Sequence, residues 1–466
     1  MLKGAHFESD VIKARNDQRL GKVTSLFFAL LVFFSTTATL PLLNSLTLPG
    51  FVRNNGLVLT GLTFLSILVV EKSNLKLNRF FGAFAPFLIA GLVTSIGMAI
   101  LLTGEVDTIA GETPLDSILS GLIWLLFNGI AILVISYCYS RCTPSFLNRI
   151  LDIFLLFVLI VSAVQALAML GIPGFSAVFE LLNVGDWLST FKSVSFGRLV
   201  GVCSEPSAMS MTLGLLCLPY CYSRFVHGGG IRYGISLLLL LVFALMTKST
   251  TVYVTVAFFV VGSFLVSSGT LKSKGLLAAL TVVIAIACIA FLIVLVTGGD
   301  LVSKEMSDVL ESVLGKIGDV SNQSTAYRNS TIINDLEIFK DYPLFGVGDG
   351  NQGYFYSQNI PSWVISSGST EVLDALSGSI GVLNGGAFIP SLVSGYGLLG
   401  CMLFGSWICF CIRRAVIRKK ELGCYYDMFL ISAFACIPVC WMATSFQGAP
   451  IAVFLVFCLP ALGEGE

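Results

Sequence analysis

Long apolar runs, separated by short polar segments, repeat along almost the whole chain. A run of about 20 apolar residues is long enough to cross the hydrocarbon core of a bilayer as an α-helix. The pattern therefore predicts an all-α polytopic membrane protein with about 12 transmembrane helices. The predicted spans cover residues 23–44, 55–70, 80–102, 117–138, 150–172, 207–223, 233–247, 250–269, 276–297, 386–412, 425–443 and 449–462.

Polar stretches interrupt this pattern at three places. The stretch before the first apolar run is too polar and too long to be a cleaved signal, so it predicts a cytoplasmic tail. Two longer stretches, near 173–206 and at 298–385, predict large loops on the opposite face of the membrane. The expected organisation is a tail (1–22), the first nine helices (23–297), the large loop (298–385), and the last three helices with a cytoplasmic C-terminus (386–466).

Basic residues decide the predicted orientation. If the N-terminus is cytoplasmic, most of the 27 Lys and Arg residues fall in inside segments, and every inside segment before the C-terminal tail holds at least two. Most outside segments are acidic or nearly neutral, as positive-inside sorting requires. An even number of spans follows, with both termini cytoplasmic and both large loops outside.

The amino-acid composition excludes soluble and nucleic-acid-binding classes of protein. With 56% hydrophobic residues, 12% charged residues and a mean hydropathy of +0.90, the apolar surface exceeds what a soluble core can absorb. The net charge is zero and no basic tract occurs, so we expect lipid and not nucleic acid as a partner. The 13 cysteines show no disulfide or zinc spacing, and no cluster of loop oxygens has cation-binding spacing. We therefore expect no metal and no cofactor.

The large loop contains two predicted helices and a glycine-rich turn. Leu301–Val320 has apolar residues at helical spacing with charges between them, which predicts an amphipathic helix at the membrane interface. A second helix begins near residue 324, carries Arg328 and ends before Pro343. The four glycines that follow allow tight turns, so free N–H groups could face an anion. A flexible return to the membrane is the simpler interpretation.

The other large loop ends in the segment Gly197–Ser207, at the mouth of the sixth span. Taken alone, Arg198 is typical of a snorkelling anchor, and Glu205 before Pro206 is typical of a helix start. Together with Arg328, however, Arg198 could clamp a pyrophosphate through bidentate hydrogen bonds. A glycosyl diphospho-lipid presents such a group at this depth.

In these residues the chain resembles the Wzy family of O-antigen and capsule polymerases, which are related by fold to the O-antigen ligases. The family pattern Arg-x-x-Gly-x-x-x-Glu-Pro matches residues 198–206. An Arg-bearing helix followed by Pro-Leu-Phe-Gly-Val-Gly matches Arg328 and residues 343–348, and the Gly-Tyr-Gly-Leu-Leu-Gly run at 395–400 also fits. The resemblance in topology covers nearly the whole chain, whereas the specific motifs cover only a small part of it.

The resemblance implies a GT-C-like fold and a metal-independent, inverting glycosyltransferase of O-antigen or capsule synthesis, as in lipopolysaccharide biosynthesis. Its substrate would be undecaprenyl-diphosphate-linked oligosaccharide, polymerised by block transfer at the periplasmic face of the bacterial inner membrane, with a flippase and a chain-length regulator as partners. Arg198 and Arg328 would hold the donor diphosphate and stabilise the charge of the leaving group. Glu205 or Asp349, with Glu371 behind them, would accept the proton of the acceptor hydroxyl.

The glycine turn and nearby aromatic residues complete the candidate substrate site. Gly346 and Gly348 would allow the backbone to approach the substrate closely. Aromatic rings can stack on sugar faces, although at a membrane interface they are more often belt anchors. The aromatic candidates are Tyr327, Tyr354, Tyr356 and Trp363.

Other functions stay open. An O-antigen ligase would transfer the glycan to lipid A core, and such ligases are expected to use a histidine in the late outside loop. Because His6 and His227 both map to the inside face, the polymerase is favoured, although a ligase using a carboxylate remains an alternative. A transporter would show intramembrane charges and broken helices related by a repeat, and here Lys248 is the only basic residue close to a span interior. A peptidoglycan-type polymerase is possible by fold analogy alone.

Overall fold

The protein is described here by a computed structural model. It describes residues 20–36, 55–71, 78–106, 108–109, 112–182, 197–203, 205–269, 323–360, 362–366, 372–373, 376, 387–442 and 450–464. Within these ranges the regular structure is helical, and β-pairing is limited to two isolated bridges near residues 103–112. The all-α class predicted from the hydropathy pattern is confirmed for this part of the chain.

The helices in chain order begin with α1 (Lys22–Phe34), α2 (Asn55–Val69), α3 (Arg79–Leu102), α4 (Pro114–Arg141), α5 (Pro144–Met169) and α6 (Phe175–Leu182). Helix α7 consists of Met209–Met211, a π-helical stretch at Thr212–Cys217, and Leu218–Val226, and it is followed by α8 (Ile231–Met246), α9 (Thr250–Gly269) and α10 (Gln323–Asp341). After a 3₁₀ turn (Gln352–Phe355) come α11 (Tyr356–Asn359), α12 (Ser362–Ile365), α13 (Phe388–Ile417), α14 (Lys419–Leu422), α15 (Cys424–Met442) and α16 (Ile451–Cys458), with a last 3₁₀ turn at Leu459–Ala461.

Six of these helices, α3, α4, α5, α9, α13 and α15, are long and apolar enough to cross a membrane, and α1, α2, α8 and α16 are shorter apolar helices. The protein is therefore a multi-pass α-helical membrane protein. Eleven of the twelve predicted spans overlap a described helix, and the span 276–297 lies outside the described residues. The total of twelve crossings and the GT-C likeness stay predictions. The amphipathic helix expected at 301–320 also lies outside the described residues.

Local sequence signals fix where several spans begin. Proline occupies the first position of α4 and α5, where no intrahelical N–H bond is required. The threonine before α5, Thr143, accepts from Phe146 N–H at 3.3 Å. Before α3, Asn78 accepts from Phe81 N–H at 2.9 Å and donates to Ser136 of α4 at 2.7 Å. This one side chain caps α3 and ties it to its neighbour.

Aromatic rings pack together in the core where α3, α13 and α16 meet. Trp407 of α13 is fully buried, and its ring meets Phe84 of α3, Phe404 of α13 and Phe457 of α16 at centroid distances of 5.4 to 5.8 Å. These are edge-to-face or tilted pairs, the arrangements that ring quadrupoles favour. The contacts hold α3 and α16 against α13.

Helix α13 is broken in its N-terminal half. Gly397 has φ 59° and ψ −161°, which is not helical, so backbone groups on both sides of it lose their helical partners. The segment that follows α10, residues 343–348, lies against this break and replaces those partners. The bonds run from Val347 N to Ser394 O (2.9 Å), Gly348 N to Gly395 O (2.8 Å), Leu398 N to Pro343 O (2.8 Å) and Leu399 N to Leu344 O (3.1 Å).

Glycine is required on both sides of this contact. A Cβ at Gly346, where φ is 68°, would lie 2.4 Å from the carbonyl oxygen of Ser394. A Cβ at Gly397 would lie 2.5 Å from the carbonyl carbon of Leu344. The glycine motifs at 343–348 and 395–400 therefore interlock, because only a residue without a side chain permits the two backbones to approach so closely.

Candidate functional site

The helix predicted around Arg328 is present as α10. It ends at Asp341, and Pro343 follows as the residue that cannot continue it. Hydrogen bonds to the turn beyond it hold the helix in place. Asn334 donates to Gln352 O at 3.0 Å, and Ser330 shares a hydrogen bond with the hydroxyl of Tyr356.

Arg328 meets the other large loop through a carboxylate. Its Nη2 lies 3.3 Å from Glu205 Oε1 and donates to Ser207 Oγ at 3.1 Å. Ser207 Oγ donates to the same Glu205 oxygen at 2.5 Å. The side chains of Arg328 and Glu205 are 34% and 45% exposed, so a ligand can reach both. Within the described residues these contacts use only Nη2 of the guanidinium.

Arg198 is anchored at the turn between α8 and α9. Its Nε and Nη2 donate to the main-chain oxygens of Thr247 and Lys248 at 3.2 and 3.0 Å. Lys248 occupies the left-handed region with φ 47°, and its side chain is exposed. Arg198 thus closes a tight turn through its guanidinium and is more than a flexible lipid anchor. The only basic residue that the sequence placed near a span interior, Lys248, lies in that turn.

The charge of Arg198 interacts with the charges of Glu205 and Arg328. Burial lowers the pKa of Arg198, while Tyr253 and Glu205 nearby raise it and the like charge of Arg328 lowers it. These effects show that the two arginines and Glu205 lie within electrostatic range of one another. Together with Ser207 they form what we call the arginine cluster (Arg198, Glu205, Ser207, Arg328). The two arginines come from separate loops, as the sequence predicts.

The glycine of the Arg-x-x-Gly pattern has a clear structural purpose. Gln165 of α5 accepts from the N–H groups of Val200 and Gly201 at 3.1 and 2.8 Å, and it donates to Arg198 O at 3.3 Å. Gly201 has φ 57°, and a Cβ there would lie 2.6 Å from the methyl carbon of Met209. A buried glutamine and a left-handed glycine therefore fix the loop that carries Arg198.

Asp349 lies apart from the arginine cluster, in the interior. It is 2% exposed, and its N–H donates to Ser95 Oγ of α3 at 3.1 Å. Its carboxyl group lies beside Tyr396 of α13 and acts electrostatically on Asp335 of α10. Of the two carboxylates that the sequence proposed first as proton acceptors, only Glu205 accompanies the arginines.

Asp335 is the residue that sequence reasoning missed. It is fully buried, and its Oδ1 accepts from Ser394 Oγ at 2.6 Å. Burial raises the pKa of Asp335 to about 7, the bond from Ser394 opposes this, and the charge of Asp349 adds to it. The available signal was its spacing from Arg328, because seven residues return a helix to the same face. We call Asp335, Asp349, Asn351 and Ser394 the acid cluster.

The glycine turn does not present free N–H groups. The N–H groups of residues 346–350 all donate within the protein. Their acceptors are, in order, Tyr342 O, Ser394 O, Gly395 O, Ser95 Oγ and Gln352 Oε1. The expectation that these groups face an anion is therefore wrong in this structure, because the break in α13 and its surroundings use them. Gly346 and Gly348 serve the interlock with α13, and their substrate-binding role stays an untested prediction without support from this geometry.

The aromatic candidates differ in position. Tyr354 and Tyr356 are 3% and 2% exposed and pack beneath α10, so in this conformation neither offers a ring face to a sugar. Tyr327, next to Arg328, is half-buried and lies nearest the arginine cluster. The side chains of Trp363 and Glu371 lie outside the described residues.

The histidine lies far from the arginine cluster. His227 follows the C-terminal end of α7 and bonds Asp427 of α15 at 2.8 Å, whereas Glu205 precedes the N-terminal end of α7. His6 lies outside the described residues. Among the residues that the structure covers, no group of three or more His, Cys, Asp or Glu side chains is placed to hold a metal ion.

The Wzy_C family, described as O-antigen ligase, matches residues 235–372. This is less than a third of the chain, and it includes α8 to α12 with Arg328, Asp335 and the glycine turn but not Arg198 or Glu205. The match supports a place in the superfamily of O-antigen ligases and polymerases, whose members are glycosyltransferase-like enzymes, and it does not distinguish the two. No curated protein matches the chain.

Proposed function

We propose that this protein is a membrane glycosyltransferase that polymerises lipid-diphosphate-linked oligosaccharide repeat units, with the donor diphosphate held between Arg198 and Arg328. The observation that carries the proposal is the arginine cluster itself. Two guanidinium groups from separate loops lie within electrostatic range around one exposed carboxylate and one hydroxyl. The family match over α10 supports a glycan carried on a lipid as the substrate.

The two arginines have different parts in this site. Arg328 is half-exposed, and its planar fork suits bidentate bonding to phosphate oxygens. Arg198 is held rigidly by the α8–α9 turn, so its positive charge is fixed in place before the substrate arrives. Fixed positive charge stabilises a developing anion without the cost of reorganisation during the reaction. The pair would thereby stabilise the diphosphate as it leaves.

Glu205 is the best-supported proton acceptor. It lies beside Arg328 and is 45% exposed, whereas Asp349 is buried in the acid cluster. In the proposed step the acceptor sugar oxygen attacks the anomeric carbon of the donor while its proton passes to Glu205. The bond from that carbon to the phosphate oxygen breaks, its electron pair stays on the lipid diphosphate, and the configuration inverts.

The proposal includes the location and the partners implied by the resemblance. The protein would lie in the bacterial inner membrane with both termini in the cytoplasm and the arginine cluster at the periplasmic face. The donor would be undecaprenyl-diphosphate-linked oligosaccharide delivered by a flippase, and a separate protein would regulate chain length. The opposite ends of α7 occupied by Glu205 and His227 suit an arrangement with the site on one face only.

The test is reconstitution of the purified protein with lipid-diphosphate-linked repeat units, without nucleotide sugar or added metal. A ladder of lipid-linked oligomers on a gel is the expected result. The Lys340→Ala variant is the matched control, because it removes an exposed positive charge from the same helix without touching the cluster. A ladder that persists unchanged in both Arg198→Ala and Arg328→Ala would overturn the proposed clamp.

A ligase is the second candidate, because the matching family is described as O-antigen ligase. Both reactions need the same diphosphate clamp and differ in the acceptor. Adding lipid A core to the reconstituted protein separates them. Transfer onto the core without any ladder would replace the polymerase by a ligase that uses a carboxylate.

A further inference from the structure

The acid cluster contains buried oxygens that lack donors. Asp335 Oδ2 and Asn351 Oδ1 are both buried, and neither has a hydrogen-bond partner among the described residues. Asn351 donates its amide nitrogen to Val347 O at 2.8 Å, which fixes its remaining atom as an acceptor. Both orphan atoms are therefore acceptors. A buried acceptor without a donor is unfavourable, so these two oxygens call for a hydrogen that one of the neighbouring groups can supply.

Among the residues that the structure describes, no positive charge acts on Asp335. Its charge is affected by burial, by the hydroxyl of Ser394 and by the like charge of Asp349. The polar and titratable groups that face the cluster from the packed elements are Asp349, Asn351 and Gln352 of the turn, Ser394 and Tyr396 of α13, Ser95 of α3, and Tyr354 and Tyr356 beneath α10. On α10 itself, Lys340 pairs with Glu337 at 2.5 Å, on a more exposed part of the helix.

We propose that Asp335 is a positioning residue that carries a proton below neutral pH, donates it to a neighbouring acceptor of the acid cluster, and so fixes α10 against the broken part of α13. A protonated carboxyl group is one donor with remaining acceptor capacity. It can keep the bond from Ser394 on Oδ1 and donate from Oδ2. This single proton removes the repulsion between Asp335 and Asp349 and turns the unpartnered Oδ2 into a donor.

The position of α10 decides the position of Arg328. Arg328 and Asp335 are seven residues apart, about 10 Å along the same face of the helix. Ser330 and Asn334 hold the stretch between them through Tyr356 and Gln352. A shift of α10 at Asp335 is therefore transmitted to Arg328 as a rigid displacement. The inference rests on the proposed function only where activity is the readout.

Loss of the proton should loosen this contact. With a pKa of about 7, Asp335 is about 90% protonated at pH 6 and about 10% protonated at pH 8. Ionisation puts a second negative charge beside Asp349 in the interior, which is costly without a partner. The bond donated from Oδ2 is lost at the same time.

The primary experiment measures hydrogen exchange of the backbone amides in α10 for the protein in detergent, with no substrate present. After correction for the intrinsic rate, we expect wild-type α10 to exchange about fivefold or more faster at pH 8 than at pH 6, following the proton occupancy. Asp335→Asn should show a ratio near one, because the amide stays neutral. Asp341→Asn, at the exposed end of the same helix, should keep the wild-type ratio. Equal ratios in wild type and Asp335→Asn would overturn the inference.

A second variant keeps the test valid if Asp335→Asn fails to fold. The hydroxyl of Ser394 favours the charged form of Asp335, so Ser394→Ala should move the exchange midpoint to higher pH. An unchanged midpoint or a lower one would contradict the proposal.

Glycan synthesis provides the readout that depends on the proposed function: the fall in kcat from pH 6 to pH 8 should be absent in Asp335→Asn. A protein without glycan synthesis that still shows the exchange pattern would reject the proposed function and keep this inference.

Discussion

The arginine cluster and the acid cluster lie about 10 Å apart along α10, yet their charges meet different surroundings. In the arginine cluster, opposite charges pair at groups that are one-third to one-half exposed. In the acid cluster, two carboxyl groups are buried beside hydroxyl and amide groups. Water and a pyrophosphate can exchange with the first set, whereas only a proton can easily relieve the second. One helix thus carries the exposed cluster that we propose to bind an anion and, two turns on, the buried carboxyl group that we propose to titrate.

The two clusters also differ in what their residues contact. Residues of the arginine cluster can touch a substrate, so their loss should change catalysis and leave folding intact. Residues of the acid cluster and of the interlock touch only protein, so their loss should appear first in stability. The expected effects below run from the largest to the smallest.

Gly346→Ala should disrupt both clusters at once. The new Cβ would lie 2.4 Å from Ser394 O at a residue with φ 68°, so the segment 343–348 must leave the break in α13. We expect a loss of about 3 kcal/mol or more in stability, seen as low yield and early unfolding in detergent. Gly405→Ala in the same helix α13 is the control, because nothing lies within 4 Å of its added carbon. Similar melting of the two variants would refute the interlock.

Arg328→Ala should break the arginine cluster alone. We expect kcat for glycan polymerisation to fall about 10²–10³-fold, because the charge that stabilises the leaving diphosphate is lost. Arg328→Lys should recover little, because lysine lacks the bidentate fork. Melting in detergent should remain near that of Lys340→Ala, since Arg328 is half-exposed. If Arg328→Ala loses activity only because it unfolds, Arg328 stabilises the fold and does not bind the diphosphate.

Glu205→Gln should sharpen the contrast between the two candidate bases. The amide keeps a contact with Arg328 and cannot accept a proton, so we expect about a 10²-fold loss in kcat with a small change in KM. Asp349→Asn is the comparison, and its effect should appear mainly in melting temperature because the residue is buried. The reverse result, with Asp349→Asn catalytically dead and stable, would transfer the base role to Asp349.

Asp335→Asn should remove a pH dependence of stability. The folded pKa of about 7 lies above the ordinary value of 3.8, so the stability contributed by the protonated form is lost as pH rises through 7. Between pH 5 and pH 8 wild type should therefore lose about 2–3 kcal/mol of stability that the variant keeps. Melting curves at both pH values measure this. A wild-type protein whose stability rises from pH 5 to pH 8, with the same rise in the variant, would be the opposite outcome.

Ser207→Ala should have the smallest effect. Ser207 donates to Glu205 at 2.5 Å and accepts from Arg328 at 3.1 Å, so it orients both without carrying charge. Loss of such a hydrogen bond costs about 1 kcal/mol, which corresponds to about a fivefold fall in kcat. A loss as large as that of Arg328→Ala would give the hydroxyl a direct part in the chemistry.

The helices were predictable because their signals are local. Hydropathy alone placed eleven spans over described helices, and Pro343 marked the end of α10. The interlock of 343–348 with 395–400 was not predictable from hydropathy. Its partners lie about 50 residues apart in the chain. In addition, the sequence of a glycine turn does not show whether its N–H groups bind an anion or another backbone segment. That ambiguity explains why N–H groups expected to be free in the turn are instead paired with the protein.

The candidate site was predictable only in part. Arg198, Glu205 and Arg328 could be brought together because charged residues in two outside loops share one membrane face. Asp335 was given no role because an aspartate on a polar helix is expected to be solvent-exposed, whereas in the structure it is buried. The burial of Asp335 depends on how α10 is rotated about its axis. Tertiary packing sets this rotation, and a short stretch of sequence contains no information on it.

The braced break in α13 has a consequence for biosynthesis. The residues around Gly397 would enter the membrane with unpaired backbone groups, which lipid cannot satisfy. The segment 343–348, which satisfies them, leaves the ribosome before α13 does. Complete insertion of α13 therefore depends on contact with a segment that is synthesised earlier, so a delay in that contact should leave the C-terminal spans open to quality-control proteases.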